Sequence, residues 1–317
     1  MSNRLVTVFG GAGFVGRHTV RALARAGWRV RVACRHPNMA FFLRPLGAVG
    51  QIAFVKCDIA EGDQVQAAVQ GCDAVINLVG LLHGDFERAH VTGAATVAKE
   101  SAKAGVRALV QLSAIGADAA SHSHYAQTKA EGEKRVREAF PAATILRPSI
   151  IFGPEDGFFN KFACLARYLP ALPLVGGGKT RFQPVFVGNV AAAIVAVLDS
   201  DSASGRTYEL GGPTVYSFRD LMQIVLQETG RKRALVPLPF FLASVKAFFL
   251  QFLPGRVLTP DQVTLLKSDN VVSPTALGLA DLGITPTTVE AEVGAYLWRF
   301  RAKGEFAQMA KTEAGPV

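Results

Sequence analysis

The sequence predicts an α/β fold: a doubly wound parallel sheet with a smaller, mixed C-terminal lobe. Strand-like apolar runs alternate with amphipathic helical patterns through the first half, the order expected of a parallel sheet with crossover helices. Directly after the apolar run Leu5 to Phe9 comes Gly10-Gly11-Ala12-Gly13-Phe14-Val15-Gly16, which opens a helical pattern. A further strand pattern follows at Trp28 to Cys34. Strand, glycine turn, helix and strand together form the context in which such glycines bind a dinucleotide. Gly10, Gly13 and Gly16 serve separate ends: a tight bend, close approach of backbone to a pyrophosphate, and close packing of helix on sheet. The helix N-terminus adds open N–H groups and the positive end of its dipole.

The elements read, in order, as strand 4–9, helix 14–26, strand 29–34, helix 38–46, strand 52–56, helix 62–70 and strand 73–79. A long helix over 85–104, strand 106–112, helix 125–139 and strand 143–151 complete the first half. Gly27 and Gly105 stand where helices stop. Beyond Gly153 proline and glycine become frequent, a change expected of a lobe that covers a ligand. There the pattern gives strand 182–187, an apolar helix 189–199 and strand 207–210. A capping-box start at Ser217 and Asp220 opens helix 217–229, and Thr259-Pro260 opens another. Residues 1–155 are thus expected to form the dinucleotide-binding domain, with 182–212 returning to it. Residues 156–317 form the smaller lobe, ending in a loose tail over 305–317.

Composition narrows the function classes. The 317 residues, 50% of them hydrophobic, suffice for a large core. Cys34, Cys57, Cys72 and Cys164 show no C-x-x-C spacing, and the six histidines form no ligand box, so neither a disulfide scaffold nor a zinc site is expected. His122 and His124 read as loop residues. The first strand pattern begins within a few residues of Met1, so neither signal peptide nor presequence is expected, as for a bacterial or processed chain. No uncharged apolar run reaches the roughly 20 residues of a membrane-spanning helix. The net charge of +9 comes without any nucleic-acid motif, so an anionic membrane or an acidic partner protein is expected to face it, and no nucleic acid.

The second strand ends Ala33-Cys34-Arg35, and no acidic residue precedes Asp58. A carboxylate clamp on the adenine ribose, the mark of NAD, is missing there, whereas Arg35 suits the 2′-phosphate of NADP. Arg35 as a plain surface charge is the competing reading. Asp58 either accepts from the adenine amino group or caps the following turn. Tyr125 and Lys129, four apart at a helix start, share one face. An ammonium beside a phenol favours the phenolate and makes the tyrosine a general acid/base. Ser113, just past strand 106–112, stands where it could orient a substrate oxygen.

The glycine turn, Ser113, Tyr125 with Lys129, and Arg147-Pro148-Ser149-Ile150-Ile151-Phe152-Gly153-Pro154 together resemble an extended or atypical short-chain dehydrogenase/reductase, a Rossmann-type fold. The resemblance covers at least residues 4–212. It implies NADPH held by Gly10, Gly13, Phe14, Val15, Gly16, Arg35, Asp58, Ile59, Val79, Tyr125, Lys129, Pro148 and Ile151, with Ser113, Tyr125 and Lys129 catalytic only if the protein is active. Asn189 stands where that family carries an Asp, and is expected to cap the following helix.

Three stretches carry a narrower likeness: GFVGRHTVRALARAGWRVRVACR, SHYAQTKAEGEKRVREAFP and LTPDQVTLLKSDNVV. They resemble the NADPH-binding accessory subunit family of respiratory complex I (NADH:ubiquinone oxidoreductase) and its α-proteobacterial homologues. That implies a tightly held cofactor with a structural or assembly role. It implies complex I partners near the junction of peripheral and membrane arms. It also implies a peripheral place on the cytoplasmic side of the bacterial inner membrane, or the matrix side of the mitochondrial one. An active NADP-dependent oxidoreductase or epimerase is the alternative. Residues 239–253, PFFLASVKAFFLQFL, are apolar nearly all round with Lys246 as the single charge. Burial in the lobe, docking on a partner and contact with a membrane surface stay open for them.

Overall fold

The protein is described by a computed structural model that covers residues 4–250, 258–302 and 304. The expected tail 305–317 and the end of the 239–253 segment lie outside the described residues. In chain order the elements are β1 (Leu5–Phe9), α1 (Phe14–Arg25), β2 (Arg29–Cys34), β3 (Ile52–Lys56), α2 (Gly62–Val69), β4 (Ala74–Asn77), α3 (Gly93–Lys103), β5 (Ala108–Leu112), α4 (His124–Ala139) and β6 (Thr144–Pro148). There follow β7 (Ile151–Phe152), α5 (Phe159–Tyr168), β8 (Ala171–Val175), β9 (Arg181–Phe182), β10 (Val185–Phe186), α6 (Val187–Leu198) and β11 (Thr207–Leu210). The last are β12 (Tyr216–Ser217), α7 (Phe218–Thr229), β13 (Ala234–Leu238), α8 (Phe240–Leu250), α9 (Pro260–Leu265) and α10 (Val289–Leu297).

The chain forms two units. The first comprises, among the described residues, 4–148, 187–210 and 272–285. Its seven-stranded sheet runs β11-β6-β5-β4-β1-β2-β3, with every pairing parallel. The order reverses between β1 and β4, the switch point where such sheets bind ligands at their strand ends. Central strands are buried on both faces, which is why β1 and β4 read as nearly unbroken apolar runs. Helices cover the sheet; Val65, Ala94, Val97, Val136 and Ile145 close one side of the core.

Several local expectations meet different geometry. Residues 37–46 form a 3₁₀ helix rather than an α-helix, with Pro37 at its start and Pro45 inside it. The helix expected over 85–104 begins as a π-helix, Glu87–Thr92, before α3. Strand 143–151 is broken after Pro148. His124 belongs to α4 and its ring lies 5.7 Å from Phe86, so it is no loop residue. Asn189 lies inside α6 and donates to the Thr285 carbonyl at 3.2 Å, so it is not the residue before the helix.

The second unit comprises, among the described residues, 149–186, 211–250, 258–271, 286–302 and 304. Three small sheets, β7 with β10, β9 with β12 and β8 with β13, surround a core of Phe152, Phe159, Leu172, Phe218 and Val293. Asp156, 3% exposed, accepts from the backbone N–H groups of Phe158, Asn160 and Gly153 and from the Tyr296 hydroxyl at 2.6 Å. That fixes α10 to the start of α5. Helix α8 buries only its small face: Ala243 and Ala247 are fully buried, while Phe241 is 77% and Phe249 66% exposed. Full burial of this helix in the lobe is therefore not what the chain does. Among the described residues no helix is long and apolar enough to cross a membrane.

Candidate functional site

The glycine turn leaves β1 at Gly10, whose φ of +76° suits glycine and few other residues. Gly13 donates its N–H to the Gly10 carbonyl at 3.0 Å and stands just before α1, which has no side-chain cap. Backbone donors of the first helical turn are thereby left for a ligand. Gly16 permits the packing: a Cβ there would lie 2.2 Å from the Gly10 oxygen. Phe14 and Val15 open the helix between these glycines. Val79 donates its N–H to Asn77 Oδ1 at the end of β4, beside the turn, and a Cβ on Gly10 would lie 3.1 Å from its nitrogen.

Arg35 is exposed at the carboxyl end of β2. Asp58, past the end of β3, accepts from the Ala60 N–H at 3.0 Å and from Arg88 at 3.1 Å. The Ala60 bond, with Arg88 and the charge of Arg35 adding to it, holds the Asp58 carboxyl below the usual carboxylate range against a partial burial that opposes it. No motif singles out Arg88, which joins Asp58 to Glu61. Ile59 is buried against the small Gly93 of α3, where a Cβ would lie 2.4 Å from its Cδ1.

At the far end of the site, Ser123 caps α4 and places Tyr125 and Lys129 on one face. Lys129 is 6% exposed; its Nζ donates to the Leu112 carbonyl at 3.3 Å and lies 5.9 Å from the Tyr125 ring. Burial pulls the Lys129 ammonium down to about 8, with the Glu133 charge opposing. Ser113 follows β5; its N–H donates to the Leu146 carbonyl, and its buried hydroxyl has no hydrogen-bond partner among the described residues. A buried orphan hydroxyl beside a buried ammonium is costly in a sealed core and ordinary in a ligand site.

Two further groups escaped the sequence reading. Glu133, 3% exposed and one turn beyond Lys129, takes a two-pronged ion pair from Arg147 at 2.8 and 2.7 Å. Its i+4 spacing from Lys129 was the available signal. His90 sits in the π-helix, accepts the Leu81 N–H at Nε2 (3.0 Å) and faces Thr128 Oγ1 with Nδ1 (3.1 Å). The first bond fixes the proton on Nδ1, which therefore donates to Thr128, and Thr128 in turn donates to the His124 carbonyl at 2.9 Å. Burial, followed by the charges of Lys129 and His124, pushes the imidazole down to about 3, so it is neutral. Its ring stacks on Phe86 and meets Tyr125 edge-on at 5.4 Å. Pro148 ends β6 and accepts from Ile115 through its carbonyl; Ile151 pairs with Val185 in the second unit.

The arrangement in the first unit suits a nicotinamide dinucleotide: an uncapped helix start and glycine cradle for a pyrophosphate, a cation at the end of β2, and a Ser-Tyr-Lys set at the end of β5 and start of α4. Residues 6–211 match the NAD dependent epimerase/dehydratase family. The chain belongs to that family. It is 36% identical to the mitochondrial NADH dehydrogenase [ubiquinone] 1 alpha subcomplex subunit 9 of Arabidopsis thaliana, over 96% of this chain and 80% of the relative. Identity to the Mus musculus protein of that name is 37%, over 95% of this chain and 81% of the relative. In fold it is similar to the NADPH-dependent quinone oxidoreductase of Escherichia coli in complex with NADPH, with a TM-score of 0.75, 19% identity and coverage of 92% and 99%.

Proposed function

We propose that the chain is an NADPH-binding accessory subunit of respiratory complex I, in which the cofactor is held rather than consumed. The observation that carries this reading is identity of 36–37% to mitochondrial NADH dehydrogenase [ubiquinone] 1 alpha subcomplex subunits across 95–96% of the chain. Gly10, Gly13, Phe14, Val15 and Gly16 would hold the pyrophosphate, Arg35 the 2′-phosphate, and Asp58 and Ile59 the adenine side. Val79, Tyr125 and Lys129 would hold the second ribose, with Pro148 and Ile151 against the nicotinamide. The preference for NADPH rests on Arg35 and on the lack of any acidic residue before Asp58. The bound cofactor could supply hydride; here its weight is structural, since a ligand that binds only the folded state stabilises it by mass action. The subunit would sit at the junction of the peripheral and membrane arms on the cytoplasmic or matrix side, and the exposed aromatics of α8 suit a partner or membrane contact.

Isolation of the native chain from detergent-solubilised membranes tests the reading. Co-purification with NADH:quinone oxidoreductase subunits and one NADPH supports it. Recovery solely as a free protein overturns it.

The orphan hydroxyl of Ser113 favours a second reading, an active NADP-dependent oxidoreductase or epimerase. Tyr125 would then transfer a proton, with Lys129 as its electrostatic support. Oxidation of bound NADPH by a carbonyl or quinone substrate, lost in Tyr125→Phe, would establish it. Failure across a broad panel of such substrates would remove it.

A further inference from the structure

We propose that the outer edge of the first unit, formed by α1, β3 and the 3₁₀ segment 37–46, docks on an anionic lipid membrane. The charge of the chain is far from evenly spread. Residues 1–57 hold nine basic residues and no acidic one, and the remaining 25 basic residues balance the 25 acidic ones. The whole formal charge of +9 therefore belongs to the first strand–helix–strand unit and the strand after it.

The fold gathers most of these cations at one edge; Arg4 is paired with Asp199, and Arg31 donates to the Ala68 and Gln70 carbonyls. β3 is the last strand of the sheet and 37–46 packs on it and on α1. Arg17, Arg21 and Arg25, spaced by four, form a stripe along α1. The Arg17 guanidinium lies 4.9 Å from the Phe42 ring, which joins the stripe to the 3₁₀ segment. Arg44 covers Phe41 at 4.1 Å, and Phe41 packs on Phe54 of β3 at 5.4 Å. Arg29 and Lys56 are exposed at the ends of β2 and β3. Apolar tips project among these cations: Met39 is 76% and Phe42 48% exposed, and Val49 is fully exposed.

Cations of one sign around protruding apolar tips match an anionic bilayer, where each Lys or Arg near the surface contributes roughly 1 kcal/mol and apolar side chains enter the headgroup region. An acidic protein fits less well. Protein interfaces fix register with charges of both signs and with repulsion against wrong alignments, and the stretch that builds this edge holds no carboxylate, the first along the chain being Asp58, which Arg88 engages. The surface differs from α8, whose exposed face is aromatic with one lysine.

The test is sedimentation of the full-length, NADPH-loaded chain with vesicles of phosphatidylcholine alone or mixed with phosphatidylglycerol. Binding to the anionic vesicles alone is expected, and loss of that binding at high salt. Arg21→Glu/Arg25→Glu lowers vesicle affinity by at least about tenfold, and Met39→Ser/Val49→Ser lowers it several-fold. Both variants retain NADPH, so failure here is distinguishable from failure of the cofactor reading. Phe241→Ser/Phe249→Ser leaves the charge-dependent binding unchanged. Equal binding to neutral vesicles, none to anionic ones, or indifference to Arg21→Glu/Arg25→Glu overturns the proposal. So does displacement of bound chain by polyglutamate at equal charge concentration, which would point to an acidic protein.

Discussion

Lys129 shows how a single side chain sets the chemistry of the site. Burial of its ammonium favours the neutral amine, and the charge of Glu133 opposes that. With its proton leaving near pH 8 instead of above 10, hydrogen bonding from this ammonium to a ribose weakens as pH rises through 8. NADPH affinity of the cofactor-free protein is therefore expected to fall by about tenfold per pH unit above that point, as fluorescence titration will read. Lys129→Met should bind weakly and without that dependence. His90 gives the opposite edge of the pH range. Its folded form is neutral down to about 3, whereas an unfolded histidine protonates near 6.5. The unfolded chain thus binds the extra proton between those values. Stability contributed by His90 is whole above pH 6.5 and is lost as pH falls toward 3, with a slope of up to about 1.4 kcal/mol per pH unit. Denaturant melts of wild type and His90→Asn across pH 4–7 check it, the variant showing the shallower fall. Arg35, Tyr125 and Lys129 were legible as residues because their positions follow from strand ends and helix starts. His90 and Arg88 were not, since both act from a π-helix, and no spacing rule anticipates where an extra residue per turn will aim its side chains.

At the scale of elements, the close approach of α4 to the π-helix brings His90 against Tyr125 and Thr128. Gly132 makes it feasible: a Cβ there would lie 2.0 Å from the His90 carbonyl oxygen. Alanine gains roughly 1 kcal/mol of helix propensity over glycine, yet here it meets backbone that cannot yield. Gly132→Ala should be net destabilising by about 1–3 kcal/mol and should weaken NADPH binding by displacing Tyr125, measurable by thermal melts with and without cofactor. The pair between α4 and β6 is the second clamp. Glu133→Gln strips the Arg147 guanidinium of its main counter-charge, and an unfolding loss of about 3 kcal/mol is expected, the low end for a broken buried pair because Arg147 is 26% exposed. Helices with explicit start signals were readable. The capping box at Ser217–Asp220 and the helix start at Thr259-Pro260 stand where the sequence put them, and the structure adds Gln262 to the second as a box partner. α5, β8, β13 and α10 were not anticipated, because short elements in the second unit are set by tertiary contacts such as Asp156 with Tyr296 rather than by periodicity.

For the whole molecule, the parallel sheet and its switch point were visible from the alternation of strands and helices, since strands buried on both faces must read apolar. The gathering of charge at one sheet edge was not, because cations spread along 57 residues form a patch only once α1, β3 and the 3₁₀ segment are brought together. Arg35, in the same basic stretch, is the residue on which the proposed preference for NADPH rests, and Arg35→Asp should invert it toward NADH. The most direct measurement is a calorimetric titration of the nucleotide-free protein with NADPH and with NADH at fixed salt. Binding of NADPH at least about tenfold tighter, with the difference gone in Arg35→Asp, is the predicted result; equal affinity, or tighter binding of NADH, contradicts it.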